Sequence, residues 1–175
     1  TFFDEVEEKT NGEIKFNNIT GGSLFGAKET LDGIKDGAIA GGLVVPAFAT
    51  STLPTISLIP DMQAFASNPL QAAGAAAETI LLDCPECVAE SAAANAIFFS
   101  GMVYPAQHLQ CTTEIESAED IVGLKVRATS GTVSRWVTKM GAVPVNLTPS
   151  DLVSALQLKQ LDCNLGLSTW LRTYS

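Results

Sequence analysis

The spacing of apolar residues changes repeatedly along the chain between the period of a helix and the period of a strand. Val133, Trp136, Val137 and Met140 recur at helical spacing and share one helix face. The segment before them, residues 123–127, alternates apolar and polar positions, as a half-buried strand does. Such alternation of helical and strand patterns predicts an α/β fold with mostly parallel sheets and flanking helices.

The N-terminal part of the chain contains four predicted helices and four predicted strands. The helices are expected at residues 2–10, 27–36, from 69 onward and 86–94, with glycine stops after the first two and the cap Asn68-Pro69 before the third. Strands are expected at residues 13–17, 38–45, 96–100 and 108–112. The apolar run 38–45 predicts a strand covered on both faces.

From residue 120 onward the predicted order is strand, helix, strand, helix, strand. Gly141 ends the first helix of this unit, and Thr148-Pro149 begins the second. Residues 166–170 are predicted to form a loop at the end of the last strand. Since ligands bind beyond the carboxyl ends of strands in open parallel sheets, we expect the three strand ends to form one pocket.

Arg127 stands at the end of the first strand of this unit, just before a turn of small residues and a helix start. A guanidinium offers a planar, two-pronged match to a carboxylate or a phosphate, and a helix N-terminus adds partial positive charge. Two interpretations are open at this point: an anion-binding residue, or an ion pair with one of the many surface carboxylates. Spacing alone favours the ion pair.

Composition narrows the classes of function. The 175 residues are 46% hydrophobic with a net charge of −9 and a mean hydropathy of +0.23, so the chain can bury a core. The acidic balance argues against nucleic-acid binding. No apolar run reaches the roughly 18 residues of a membrane span, and no signal peptide is visible. Because the first residues already resemble the inside of a helix, we expect the natural N-terminus to lie upstream.

The four cysteines, Cys84, Cys87, Cys111 and Cys163, leave several pairings open. Cys84 and Cys87 form a C-x-x-C motif, which has three possible uses: a local disulfide, half of a zinc site or a redox pair. A zinc site would need further ligands, and the motif follows a helical run rather than a strand, so structural disulfides or buried thiols are favoured. The sequence does not fix the pairing.

No catalytic, metal or cofactor site is predicted. His108 is the single histidine, and a strand would place it on the opposite face from Cys111, so a thiol nucleophile would lack a base there. The glycine-rich residues 20–26 match neither nucleotide-binding glycine motif. The residues therefore give little support to an enzyme.

Four passages resemble the substrate-binding proteins of tripartite ATP-independent periplasmic (TRAP) transporters, the DctP-like group that includes C4-dicarboxylate binders. They occur in the order of that family and span nearly the whole chain. The passages are residues 6–16, residues 22–26 with 34–37, residues 123–127, and residues 141–145 leading into 155–157 and 161–162.

The resemblance implies a type II periplasmic-binding-protein-like fold with two lobes around a ligand cleft. Lobe I would comprise residues 1–119 without its first strand, and lobe II residues 120–175 without its C-terminal part. The implied function is periplasmic capture of an organic acid through an arginine–carboxylate clamp at Arg127, and delivery to the membrane permease subunits. No cofactor, nucleic acid or direct membrane insertion is implied. The alternative is a ligand-sensing domain of a regulator or receptor on the same fold.

The resemblance also suggests that Thr148 and the loop from Asn164 to Trp170 line the cleft. Gly166 stands where many family members have an asparagine that touches the carboxylate, so Trp170 is expected either to cover the pocket or to act as a packing residue. Gln107 and His108 are weaker candidates. Family members are usually much longer, so the chain resembles an internal fragment. We expect these 175 residues alone to bind ligand weakly or not at all.

Overall fold

The computed structural model describes residues 1–62, 65–101 and 107–173. Within these segments the protein forms eight α-helices and four β-strands. The helices are α1 (Phe2–Lys9), α2 (Thr30–Lys35), α3 (Ile59–Met62), α4 (Pro69–Glu78), α5 (Pro85–Ala93), α6 (Gly131–Lys139), α7 (Leu152–Gln157) and α8 (Ser168–Thr173). The strands are β1 (His108–Cys111), β2 (Lys125–Arg127), β3 (Val143–Val145) and β4 (Cys163–Gly166).

Short 3₁₀ and π turns complete the secondary structure. The 3₁₀ turns are Pro46–Phe48, Ile56–Leu58, Ala118–Ile121 and Pro149–Asp151, and the π turn is Thr79–Asp83. Among the described helices, none is long and apolar enough to cross a membrane.

The four strands form one sheet in the order β1-β4-β2-β3. Strand β2 is parallel to both β3 and β4, whereas β1 is antiparallel to β4. This confirms the predicted α/β fold with a mostly parallel sheet and the unit β2-α6-β3-α7-β4. Strand β1 precedes residue 120, yet it belongs to this sheet, which therefore includes one strand from the N-terminal side of the predicted lobe boundary.

The register divides the side chains of the sheet between two faces. Val126 lies beside Cys163 and Pro144 in the register, and it packs in an apolar cluster with Val137 of α6. Because successive side chains of a strand alternate in direction, the next register row faces the opposite side. We call this row, Gln110, Asn164, Arg127 and Val145, the polar row.

The N-terminal half has its own apolar core. Its buried apolar residues are Leu31, Leu53, Ile56, Ile80, Cys84, Cys87 and Ala94. Glu90 of α5 holds the start of the 3₁₀ turn Ile56–Leu58 against this core. Its carboxylate accepts hydrogen bonds from the backbone N–H groups of Thr55 and Ile56.

Three predicted strands are wrong. Residues 13–17, 38–45 and 96–100 are not in strand conformation. Several of their large apolar side chains are exposed, reaching 83% for Ile97 and 84% for Phe99, whereas Val44 and Phe98 are partly buried against the N-terminal core. A strand must pair its N–H and C=O groups with a neighbour. No described strand adjoins these segments, so the apolar pattern alone does not produce a ladder.

Most predicted helix boundaries are confirmed. Asn68 accepts hydrogen bonds from the N–H groups of Leu70 and Gln71 at the start of α4, and α1 is followed by Gly12 at φ 79°. Helix α2 is shorter than predicted, and the expected loop 166–170 contains the start of α8. Trp136 is 47% exposed rather than buried with Val137.

Both pairs of cysteines form disulfides. Cys84–Cys87 is the local disulfide considered for the C-x-x-C motif, and it lies at the N-terminus of α5. Cys111–Cys163 joins β1 to β4 at a register pair, which the sequence did not predict. The second disulfide ties the antiparallel strand to the parallel unit.

Candidate functional site

Arg127 is the largest fully buried side chain of the protein's described part, with 2% of its surface exposed. It lies at the end of β2, between β3 and β4. Its Nε donates to the carbonyl oxygen of Leu147 at 2.9 Å, and Nη1 donates to that of Leu165 at 3.2 Å. A carbonyl just beyond β3 and a carbonyl near the end of β4 therefore hold the guanidinium in place.

The charge of Arg127 has no carboxylate partner among the described residues. The ion pairs at Thr1–Asp4, Lys9–Glu5 and Lys15–Glu7 lie near the N-terminus and do not involve Arg127. Burial lowers the pKa of Arg127 to about 10, so the side chain remains a cation at neutral pH. Buried charges in proteins are usually paired. The ion pair with a surface carboxylate, which spacing alone favoured, is thus not found in these segments.

Trp170 lies over the guanidinium, with Cζ of Arg127 4.8 Å from the centroid of the ring. This is the geometry of a cation–π contact. Helix α8 begins two residues after β4 ends and returns Trp170 over the strand end. The indole also packs beside the buried residues Leu152 and Leu161, so Trp170 both covers Arg127 and packs in the core.

Gly166 allows this approach of Trp170. A Cβ atom at Gly166 would lie 2.7 Å from Cε3 of the indole and would also contact Cζ3. Real Cβ atoms essentially never come within 3.0 Å of another group, so any larger residue would displace the ring. The position of the Trp170 ring therefore requires a glycine at position 166, where many members of the family that the sequence resembles have an asparagine.

Asn164 is completely buried at 0% exposure, beside Arg127 in the polar row. Its Nδ2 donates to Oε1 of Gln110 at 2.8 Å. No described residue donates to its Oδ1. The Asn164 amide therefore has one satisfied end and one unsatisfied end.

Thr148 adjoins the site through its backbone. It follows Leu147, whose carbonyl accepts from Arg127, and it is 8% exposed. Its hydroxyl donates to Oδ2 of Asp151 at 2.6 Å and shares a hydrogen bond with Ser150 Oγ at 2.7 Å. In this conformation the hydroxyl is hydrogen-bonded to the start of the helical segment and not to Arg127.

The structure thus brings four of the five predicted site residues together, namely Arg127, Asn164, Gly166 and Trp170. Gln110 belongs with them but was missed. The period of two in the predicted strand 108–112 could have indicated Gln110, because it places Gln110 on the same face as the weaker candidate His108. In the structure, His108 is the register partner of Gly166. Gln107 is exposed and precedes β1.

An apolar groove of about 370 Å³ lies between α3 and α4, remote from Arg127 in the sequence. Its lining consists of Ile59, Met62, Phe65, Ala66, Ala72, Ala75, Ala76 and Thr79. Because this lining has no charged side chain, the groove has no group that would neutralise an anion. The chemistry of an anion site is found at Arg127.

Comparison with known proteins shows the family and the fold of the chain. A sequence model of the bacterial extracellular solute-binding proteins of family 7 (DctP) matches residues 1–166. Solved TRAP periplasmic solute-binding proteins have a similar fold. One from Sulfitobacter sp. NAS-14.1 with bound β-D-galacturonate has 17% identity and a TM-score of 0.77, covering 94% of this chain and 54% of that one.

Two further solved structures are similar in fold and likewise match this chain over about half of their own length. A marine metagenome TRAP protein specific for aromatic acids, in complex with metahydroxyphenylacetate, has 17% identity and a TM-score of 0.76, covering 99% of this chain and 53% of that one. DctP6 of Bordetella pertussis, a receptor that binds pyroglutamic acid, has 21% identity and a TM-score of 0.71, covering 99% and 57%.

This chain therefore spans about half the length of the solved proteins that it matches. At these identities the likeness shows a shared fold, the periplasmic-binding-protein fold. The family match covers nearly the whole chain, and the chain belongs to the bacterial extracellular solute-binding proteins of family 7.

Proposed function

We propose that this chain is part of a periplasmic solute-binding protein of a TRAP transporter, which captures an organic acid through Arg127 and delivers it to the membrane permease. The observation that supports the proposal is the buried Arg127 cation, which has no carboxylate partner among the described residues. A carboxylate ligand would supply the missing negative charge. The organic acids bound by the similar proteins are of this class.

The hydrogen bonds of Arg127 leave N–H groups of the guanidinium available to such a ligand. A guanidinium has five N–H groups, and two of them donate to the carbonyls of Leu147 and Leu165. The carbonyls orient the group without neutralising its charge. Trp170 covers one face of the guanidinium, so a carboxylate would approach along the edge formed by Nη1 and Nη2.

The neighbours of Arg127 have separate roles in this proposal. Trp170 and Gly166 shape the wall beside the carboxylate, Asn164 adds a polar group, and Thr148 lines the strand end next to Leu147. Residues 1–119, apart from strand β1, form one lobe, and residues 120–175 together with β1 form the other, with the first closing over the second. Affinity and closure, rather than bond chemistry, constitute the mechanism.

A thermal-shift screen of organic acids tests the proposal on the protein at its full natural length. We expect an acid that raises the melting temperature of the wild type and has no effect on Arg127→Ala, since binding to the native state stabilises by mass action. Arg135→Ala is the matched control, because it removes an exposed arginine of α6 and should keep the shift.

Arg127→Lys should bind far more weakly than the wild type, because an ammonium lacks the planar fork of the guanidinium. Truncation of a buried charged partner costs about 2–5 kcal/mol of binding free energy. A shift of equal size in the wild type and in Arg127→Ala would refute the clamp.

A further inference from the structure

The amide oxygen of Asn164 is a buried acceptor whose donor is not among the described residues. The side chain has 0% exposure, and its Nδ2 is already engaged with Gln110. Oδ1 has no donor in these segments. Since a buried acceptor without a donor destabilises the folded protein, this atom marks a position at which a donor is required.

The surroundings of Oδ1 place it in the candidate anion site. A Cβ atom at Gly166 would lie 3.0 Å from Oδ1 and would also contact the Trp170 ring, so the oxygen and the ring adjoin the same point above Gly166. That ring covers the guanidinium of Arg127, and Asn164 is the register partner of Arg127. An acid held by Arg127 would therefore have its adjacent atoms near Oδ1.

The chemistry of an amide oxygen limits what it can bind. It only accepts hydrogen bonds, and at neutral pH a carboxylate only accepts them as well. The partner of Oδ1 must therefore be a donor next to the carboxylate rather than the carboxylate itself. We infer that Asn164 selects carboxylic acids that bear a hydroxyl or N–H donor beside the carboxylate. This inference rests on the proposed function, in which Arg127 binds the carboxylate.

Two series of matched acids test the inference by calorimetric titration of the protein at its full natural length. The first series is lactate, alanine and propionate, and the second is mandelate, phenylglycine and phenylacetate. Lactate and propionate, like mandelate and phenylacetate, differ only by the hydroxyl beside the carboxylate, whereas alanine and phenylglycine present an ammonium donor there and so also differ in net charge. In the wild type we expect a donor-bearing acid of at least one series to bind about tenfold or more tightly than its unsubstituted counterpart.

Asn164→Leu should reduce the affinity for the donor-bearing acid to that of the unsubstituted acid, while the unsubstituted acid changes by less than about threefold. Asn164→Ala makes the same comparison with a smaller side chain, should Asn164→Leu fail to fold. Asn146→Leu is the matched control, because Asn146 is exposed at the end of β3 and should leave the selectivity unchanged.

The other outcomes separate this inference from the proposed function. Suppose that all members of both series bind with equal affinity and that Arg127→Ala still abolishes binding. This result would overturn the selection by Asn164 and leave the proposed function intact. Selectivity that survives both Asn164 variants would assign the donor contact to another residue. Tighter binding of the unsubstituted acids would also overturn the inference, because Oδ1 would then gain no hydrogen bond from the donor. Binding that is unaffected by Arg127→Ala would overturn the proposed function itself.

Discussion

The two faces of the sheet formed by β1–β4 differ in how far their side chains satisfy one another. On the face toward α6, Val126 and Cys163 are buried among apolar neighbours, and Cys163 is bonded to Cys111. On the opposite face, Arg127 is buried without a carboxylate and Asn164 Oδ1 lacks a donor, as far as the described residues go. The side chains of the first face satisfy one another, whereas the second face lacks a negative charge and a hydrogen-bond donor that a bound acid would supply.

Under the proposed function, this difference marks the face on which the protein gives up stability for binding. Natural proteins usually agree with the rules of packing and polar satisfaction throughout, and they break them at functional sites. Among the described residues, a buried cation without a carboxylate partner and an amide oxygen without a donor stand side by side at Arg127 and Asn164, and they are two such breaks. We therefore expect substitutions on the α6 face to alter mainly stability, and substitutions on the Arg127 face to alter mainly binding.

The largest effect on stability is expected from the disulfide of the α6 face. Replacing Cys111 and Cys163 by alanine should lower the free energy of unfolding by about 2–5 kcal/mol, because their bond closes a long loop of 52 positions. Urea unfolding measures this loss. The double alanine variant of Cys84 and Cys87, whose separation is three positions, is the control and should lose less. Equal losses would contradict the loop argument.

A smaller effect is expected on the other face from Gly166→Ala. The added methyl group must displace the Trp170 ring, and overpacking of this kind costs about 1–3 kcal/mol. We expect a changed near-ultraviolet circular dichroism signal of tryptophan together with weaker acid binding. Gly74→Ala in α4 is the control, because a Cβ there meets nothing within 4 Å and should not destabilise. An unchanged Trp170 signal in Gly166→Ala would contradict the described packing.

The smallest effect is expected outside both faces, at Glu90. Desolvation raises the pKa of this carboxyl, but hydrogen bonds from Thr55 and Ile56 outweigh it, and the pKa is lowered below its ordinary value of 4.5. The stabilisation is therefore complete above about pH 4.5 and is lost as the pH falls through the lowered value. Glu90→Gln should be less stable than the wild type at pH 7, and the difference should shrink below pH 4. A constant difference in urea unfolding between pH 7 and pH 3 would contradict it.

Signals that act within a few residues predicted the structure well. The predicted cap Asn68 accepts hydrogen bonds from the following turn, and Ser130 does the same at the predicted helix start after Arg127. The unit β2-α6-β3-α7-β4 followed from such signals together with short connections. Arg127 was identified for the same reason, since it ends a strand just before a helix start.

Features that depend on distant partners could not be predicted. The apolar run 38–45 resembles a buried strand, but a strand also requires a neighbour, which the pattern does not identify. The pairing of β1 with β4 joins segments about 50 positions apart, and it determines both the Cys111–Cys163 bond and the contact of Gln110 with Asn164. Gln110 of the candidate site and the Cys111–Cys163 disulfide were therefore missed for one reason, because both depend on the pairing of β1 with β4.

The central claim is that Arg127 of the polar row binds the carboxylate of an acid. A crystal structure of the protein at its full natural length, with a stabilising acid bound, tests it most directly. We expect the two carboxylate oxygens to lie about 2.7–2.9 Å from Arg127 nitrogens, with Trp170 against the ligand. An acid bound elsewhere, such as in the groove between α3 and α4, with no carboxylate oxygen in contact with Arg127, would contradict the claim.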